Sequence, residues 1–251
     1  METQNRHRSW PVLGLVPHVR RLTLGVVLRE LSKRILSQKT CFGLRADLSS
    51  LPDRRSAKIA LEMAPCEPAD AIDYFDAELD EVRGADYGRI LTRKGAVEAG
   101  VWTPYFGRTA DRTAAYVQWL VTADEQDRFH AYVLDKWPWL EPDEVFLEFA
   151  YTFVRYRKMG VMNDAMARLL QIARDRGARA AITYVRSDNV GSLRGCANVG
   201  FELDHVREMK FRLGRRLSMV RPVDAHALDL WTLASARTPA PARDVVGPRR
   251  V

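Results

Sequence analysis

The sequence predicts an α/β (α+β) domain, and three neighbouring stretches carry that prediction. EVFLEFAYTFV, Glu144 to Val154, is rich in aromatic and β-branched residues and reads as a strand. From Gly160 onward Met162, Met166, Leu169, Leu170 and Ala173 mark one apolar helix face, which Gly177 is placed to stop. AAITYVRS, from Ala180, then reads as a second strand.

The other elements follow in chain order. Basic residues from Arg6 to Arg55 far outnumber the acids Glu2, Glu30, Asp47 and Asp53, so residues 1–55 are read as a basic extension. Within it Leu24, Val27, Leu28, Leu31 and Ile35 form one helical face, either packed on the main domain or free to meet RNA or an anionic membrane. AKIALEMA, from Ala57, reads as a strand, and EPADAIDYFDAEL as a helix opened by Pro68. The residues after that helix are assigned no element. GVWTPYFGRTADRTAAYVQWLVTA reads as a hairpin, followed by a helix from Glu125 to Trp137. Ser192 to Val199 reads as a short helix closed by Gly200, FELDHVREMKFRLGRR as two short strands around a polar turn, and DAHALDLWTLA as one small helix. The Pro-rich end, RTPAPARDVVGPRR, is expected to be disordered. The expected division is therefore 1–55 extension, 56–216 main domain and 217–251 tail.

A formal charge of +7 and a pI near 9.5 favour anionic partners such as phosphorylated cofactors or nucleic acid. Cys41, Cys66 and Cys196 form neither a CxxC pair nor an even framework, so no disulfide and a reducing, cytoplasmic location are expected. No apolar run approaches the roughly 20 residues of a membrane helix. Pro11 and Pro17 break the N-terminal apolar segment, so no signal peptide is expected, and an Arg-rich organelle presequence stays open. The histidines His7, His18, His130, His205 and His226 show no metal-ligand spacing, and no metal is expected.

The chemistry concentrates in FLEFAYTFVRYRKMGVMNDAMARLL, a strand, a turn and a helix start. Free N–H groups at such a start suit a phosphate or pyrophosphate, with Gly160 allowing close approach and Arg155, Arg157 and Lys158 adding charge. R-x-x-G at Arg157 and Gly160, then N-x-x-S at Asn189 and Ser192 followed by Gly200 and Phe201, in this order of elements, resembles the GNAT superfamily of N-acetyltransferases. The resemblance covers residues 57–216, is most specific over Glu144–Phe201, and is to a bacterial-type subgroup with an N-terminal extension.

The resemblance implies a mixed, mostly antiparallel sheet with two splayed parallel central strands, flanked by helices. Here these would be Glu144–Val154 and Ala180–Arg186. An acyl-CoA, acetyl-CoA by default, would enter the gap and be held by Thr152, Phe153, Arg157, Lys158, Met159, Gly160, Val161, Met162, Asn189 and Ser192. Met162 departs from the family pattern, which has Gly or Ala there. A small-molecule amine would attack the thioester directly.

That reaction needs a base, a polarised carbonyl and a proton for the leaving thiolate. Glu148 on the first strand is a candidate base or a structural ion pair, and Tyr184 on the second a substrate-lining or proton-transfer group. Cys196 stands seven residues after Asn189, where relatives often carry a proton-donating tyrosine; it is either a donor or packing. Trp102, Tyr105, Phe106 and Trp119 could line an acceptor pocket, though strand aromatics are more often core. Two other functions share the fold: an amide-forming transferase using aminoacyl-tRNA, bound through the basic extension, and a non-catalytic CoA-binding module.

Overall fold

The computed structural model describes residues 36–100, 104–133, 139–212 and 215–236. By Cα proximity these fall into two units; the larger runs over Lys39–Met209 and on from Ser218, and of the smaller only strand ends are described. The helix expected over Leu24–Ile35, Trp102, and the Pro-rich end lie outside the described residues.

Among the described residues there are eight strands and six α-helices, in chain order β1 (Leu36–Asp47), β2 (Glu62–Pro65), α1 (Pro68–Glu81), α2 (Gly84–Glu98), β3 (Pro104–Arg108), β4 (Ala114–Thr122), α3 (Gln126–Val133), β5 (Glu144–Thr152), α4 (Val161–Asp175), β6 (Ala180–Arg186), α5 (Val190–Asn198), β7 (Glu202–Arg212), β8 (Arg215–Arg221) and α6 (Ala225–Ser235). They make one sheet in the order β2-β3-β4-β5-β6-β1-β7-β8. The β2–β3, β3–β4, β4–β5 and β1–β6 pairs are antiparallel, and β5–β6 is parallel.

α1 starts at Pro68, whose fixed φ suits the first turn, and buries Ala71, Phe75 and Leu79. Phe75 meets Phe106 and Trp119 with ring centroids 5.6 and 6.4 Å apart, so α1 covers one face of β3 and β4. α4 covers the opposite face. A Cβ at Gly107, which alternates with Phe106, would stand 3.9 Å from Ala165 Cβ. The apolar stripe Val161, Ala165, Met166, Leu169, Leu170 and Ala173 is buried there; each fully buried side chain of Leu size contributes roughly 1.5–3 kcal/mol. Gly177, with φ +95°, ends the helix.

Several elements differ from the sequence expectation. β1 lies inside the stretch read as basic extension, and two arginines of that stretch are paired: Arg45 with Glu144, Arg54 with Asp164. α2 was not expected. The strand read from Ala57 begins only at Glu62, because Ala57 N–H donates to Asp164 Oδ2 (2.9 Å) and Lys58 N–H to Met159 O (2.9 Å) instead of to a strand. The described part of the helix expected from Glu125 to Trp137 is a 3-10 turn, Ala123–Glu125, and α3. β7 and β8 are longer than the two short strands expected, and β8 runs past residue 216 to Arg221. Between these strands Arg207 Nε donates to Ser218 Oγ (2.9 Å) and Arg221 Nε to Glu208 (3.0 Å). Tyr105, Phe106 and Trp119 are 5% exposed or less and belong to the core. No described helix is long and apolar enough to cross a membrane.

Candidate active site

β5 and β6 pair only over Glu144–Phe146 and Ala180–Ile182. At the end of that ladder the Thr183 hydroxyl donates to Leu147 O (2.8 Å), so a side chain satisfies the carbonyl where the neighbouring backbone no longer does. Past this point the two facing edges part. The expected splay of the central strands is therefore present, and it begins three ladder pairs in.

β5 is irregular on its other edge. Trp119 opposes Glu148 and Val117 opposes Tyr151, so two steps along β4 match three along β5. The extra residue puts Phe149 at φ +56°, a left-handed conformation costing roughly 1–2 kcal/mol for a residue with a side chain. Arg93 of α2 holds the bulge: Nε donates to Phe149 O (2.7 Å) and Nη2 to Ala150 O (2.8 Å), while Nη1 bonds Arg89 O (2.7 Å). Arg93 is 8% exposed, and burial pulls its guanidinium down to about 10.

Glu148 stands just past the parting, partly accessible at its edge. Burial pushes its carboxyl up to about 7, against the opposing pull of the Arg93 charge and a hydrogen bond from the Phe149 N–H. A carboxylate titrating there is matched to taking a proton near neutral pH. Cys41 of β1 lies near enough that Glu148 raises its thiol further, after burial has done most of the work.

The turn between β5 and α4 is the second part of the site. Thr152 and Phe153 lead into it; the Phe153 N–H donates to Ala115 O (3.1 Å), and the Val154 N–H to the buried Glu78 of α1 (2.9 Å). Lys158 (φ +63°) and Gly160 (φ +77°) both adopt left-handed backbone. Gly160 caps α4 and has no side chain to offer, so the N–H groups of Val161, Met162 and Asn163 have no intrahelical acceptor. Such an array fits a phosphate-bearing ligand. Asp164, one turn in, would oppose an anion, but Arg54 (3.1 Å) and Arg168 (3.0 Å) neutralise it.

Arg157 and Met162 behave differently from the sequence expectation. The Arg157 guanidinium turns to Asp86 of α2 (2.9 Å) and bonds Thr152 O (3.2 Å), so it braces the turn rather than standing free for a phosphate. Hydrogen bonding to Arg157 holds the Asp86 carboxyl below its usual range. Met162 points at α5, where a Cβ added to Gly195 would come within 2.9 Å of Cε. The bulky residue thus lies against a glycine instead of over the turn.

Asn189 caps α5 by accepting from the Ser192 N–H (3.3 Å). Cys196, further along α5, is 1% exposed; burial raises its thiol to about 12, beside Tyr116. A thiol that weak is a poor proton donor to a departing thiolate, and packing is the role its surroundings favour. Tyr184 faces the same side of the sheet as Phe146, with ring centroids 5.9 Å apart. Its hydroxyl bonds His205 Nε2 (2.8 Å), and His205 Nδ1 bonds Asp204 (2.7 Å). Tyr184 is on β6 and His205 on β7, and only the fold brings them together. Among the described residues no three His, Cys, Asp or Glu groups are placed to hold a metal ion.

A family model and several solved structures are similar to this chain. Residues 86–201 match the model of the Acetyltransferase (GNAT) family. Among solved structures, the chain is similar to a GCN5-related glucosamine N-acetyltransferase region of a fungal multi-domain GH3 β-N-acetylglucosaminidase, with 12% identity, a TM-score of 0.53 and coverage of 73% of this chain and 22% of that one. It is also similar to a GNAT-family acetyltransferase from Colwellia psychrerythraea, with 12% identity, a TM-score of 0.46 and coverage of 76% and 63% respectively. The chain thus spans about a fifth of the first protein and less than two thirds of the second. A comparison with curated proteins gave no match. The parted parallel strands, the glycine-capped turn and the match to the GNAT family model fall on the same residues, and the chain is similar to that family over this stretch.

Proposed function

We propose that this protein is an acyl-CoA-dependent N-acyltransferase, with acetyl-CoA as donor and the amine of a small molecule as acceptor. The observation that carries the reading is the parting of β5 and β6 after Phe146 and Ile182, with Glu148 at its mouth. The opened backbone edges offer hydrogen-bonding groups to the amides of a pantetheine arm. The N–H groups at the start of α4 offer a seat for its pyrophosphate, and the first turn of α5, capped by Asn189 and carrying Ser192, flanks the arm.

In this reading Glu148 takes the proton from the acceptor ammonium. The neutral amine then attacks the thioester carbonyl, whose developing negative charge is met by an N–H on the opened edge of β5. Arg93 keeps the bulge, and with it the direction of that edge, fixed. Cys196 packs α5 and takes no part.

Titration calorimetry with acetyl-CoA, followed by a free-thiol release assay over a panel of primary amines, tests the proposal. Expected are acetyl-CoA binding, amine-dependent thiol release, and loss of binding in Gly160→Glu, whose side chain would carry a carboxylate into the anion seat. No binding of wild-type protein at about 1 mM acetyl-CoA, the top of the usual KM range, would overturn it.

A further inference from the structure

Three side chains from two strands form a hydrogen-bonded series next to the parted strands. Asp204 can only accept, so His205 Nδ1 carries the proton it donates, and Nε2 is left as the acceptor for the Tyr184 hydroxyl. The imidazole has a seat made for it. A Cβ at Gly43 of β1 would stand 2.3 Å from both Cε1 and Nε2 of His205, so any other residue at 43 would expel the ring. Gly43 is the register partner of Tyr184, which places the ring directly over the β1–β6 pair. Arg207 stacks over the Tyr184 ring at 5.1 Å, and the residue is 6% exposed.

The series lies on the same face as Glu148. Phe146 pairs with Ile182, two residues before Tyr184 on β6 and two before Glu148 on β5, so both side chains project to one side of the opening. Burial raises the Tyr184 phenol above its usual range, while Arg207 opposes that and Asp204 and Cys41 add to it. A phenol of that kind keeps its proton until a base beside it can take it, and the base here is His205 Nε2.

We propose that Tyr184 is a second proton-handling residue of the acyl transfer, taking the proton left on the acceptor nitrogen after attack, with His205 and Asp204 as its positioning residues. This rests on the acyltransferase reading above. Glu148 removes the first proton from the ammonium. The C–N bond forms, and the N–H proton of the adduct passes to the phenol oxygen as the phenol's own proton passes to His205 Nε2. The C–S bond then breaks with its electron pair on sulfur, and the thiolate is protonated by water. The imidazolium, held by Asp204 and 19% exposed at its side chain, returns its proton to solvent.

The test compares wild type, Tyr184→Phe, His205→Gln and the double variant, using acetyl-CoA and the panel of primary amines. Tyr184→Phe keeps the ring that packs against Phe146 and His205. Each single variant is expected to lower kcat by about 100-fold with the KM for acetyl-CoA unchanged. The double variant is expected to be no slower than either single one, because the groups act in one chain. The solvent deuterium isotope effect on kcat should change in Tyr184→Phe, a readout that mere packing would not move. Wild-type turnover in Tyr184→Phe, or losses that multiply in the double variant, overturns the relay and leaves the acyltransferase reading standing. Absence of acetyl-CoA binding by the wild type overturns both.

Discussion

Met162 fills the space that a side chain at Gly195 would need: a Cβ there would approach Met162 Cε to 2.9 Å and Sδ to 3.1 Å. The bulky residue at the anion turn is thereby matched by the absence of a side chain on the helix facing it. Gly195→Ala gains about 1 kcal/mol of helix propensity but costs roughly 1–3 kcal/mol in overlap, so its net effect in the wild type is destabilising or near zero. In a Met162→Ala background only the gain remains. Urea denaturation of the four proteins of this cycle is expected to show a coupling on the order of 1 kcal/mol or more, and additivity would refute the packing relationship. Acetyl-CoA affinity should fall in Gly195→Ala alone, as the displaced thioether moves toward the turn.

Arg93 joins α2 to the strand that opens. Its charged hydrogen bonds to Phe149 O and Ala150 O satisfy carbonyls that the bulge has taken off the ladder. Arg93→Met would strand both, at about 2–4 kcal/mol of unfolding free energy. The same charge also lowers the Glu148 carboxyl. Its removal is therefore expected to move the acid limb of the pH–rate profile to higher pH, beyond the drop in maximal rate. A profile that only scales down, with its limb unmoved, would mean that Arg93 has a purely structural part.

How much of this was legible beforehand depended on whether partners were local. The turn at Arg157–Gly160, the helix behind it and the Asn189 cap are set by neighbours within a few residues, and the sequence states them. α2 has a helical spacing in Tyr87, Ile90 and Val97, but Gly84, Gly88 and Gly95 weaken its propensity. Arg93 and Asp86, which brace the site, look like ordinary surface charges until their partners 56 to 71 residues away are known. β1 was hidden by its charge: Lys39 and Arg45 read as part of a basic arm, whereas Arg45 pairs with Glu144. The bulge at Phe149 leaves no mark at all in composition.

Glu148 gives the protein a pH dependence of definite sign. Its carboxyl titrates near 7 in the folded chain, against an ordinary value of 4.5. The folded state therefore holds the proton longer than the unfolded one, and the stability it contributes is full below about pH 4 and is lost as pH rises through about 7. Glu148→Gln removes the ionisation. Between pH 5 and pH 8 the wild type should lose stability relative to this variant by up to about 3 kcal/mol, measured by chemical denaturation at each pH. Turnover has the opposite sense, since the base must be ionised: it should decline as pH falls through about 7. Equal pH dependence of stability in the two proteins would show that Glu148 is not desolvated.

Cys196 distinguishes an expected role from an observed setting. The resemblance implies a proton donor to the leaving thiolate at this position, yet Cys196 is 1% exposed and burial lifts its thiol to about 12. A group that holds its proton so firmly stays a thiol throughout turnover. Cys196→Ala removes one buried sulfur and should cost about 1 kcal/mol of stability through the small cavity left beside Tyr116. The kcat with acetyl-CoA should stay within about twofold of wild type, because no step loses its proton source. Cys196→Ser tests the same point from the other side: it restores a proton but buries a hydroxyl, so it should be the less stable variant and no faster. A Ser variant faster than the Ala variant would return position 196 to the chemistry.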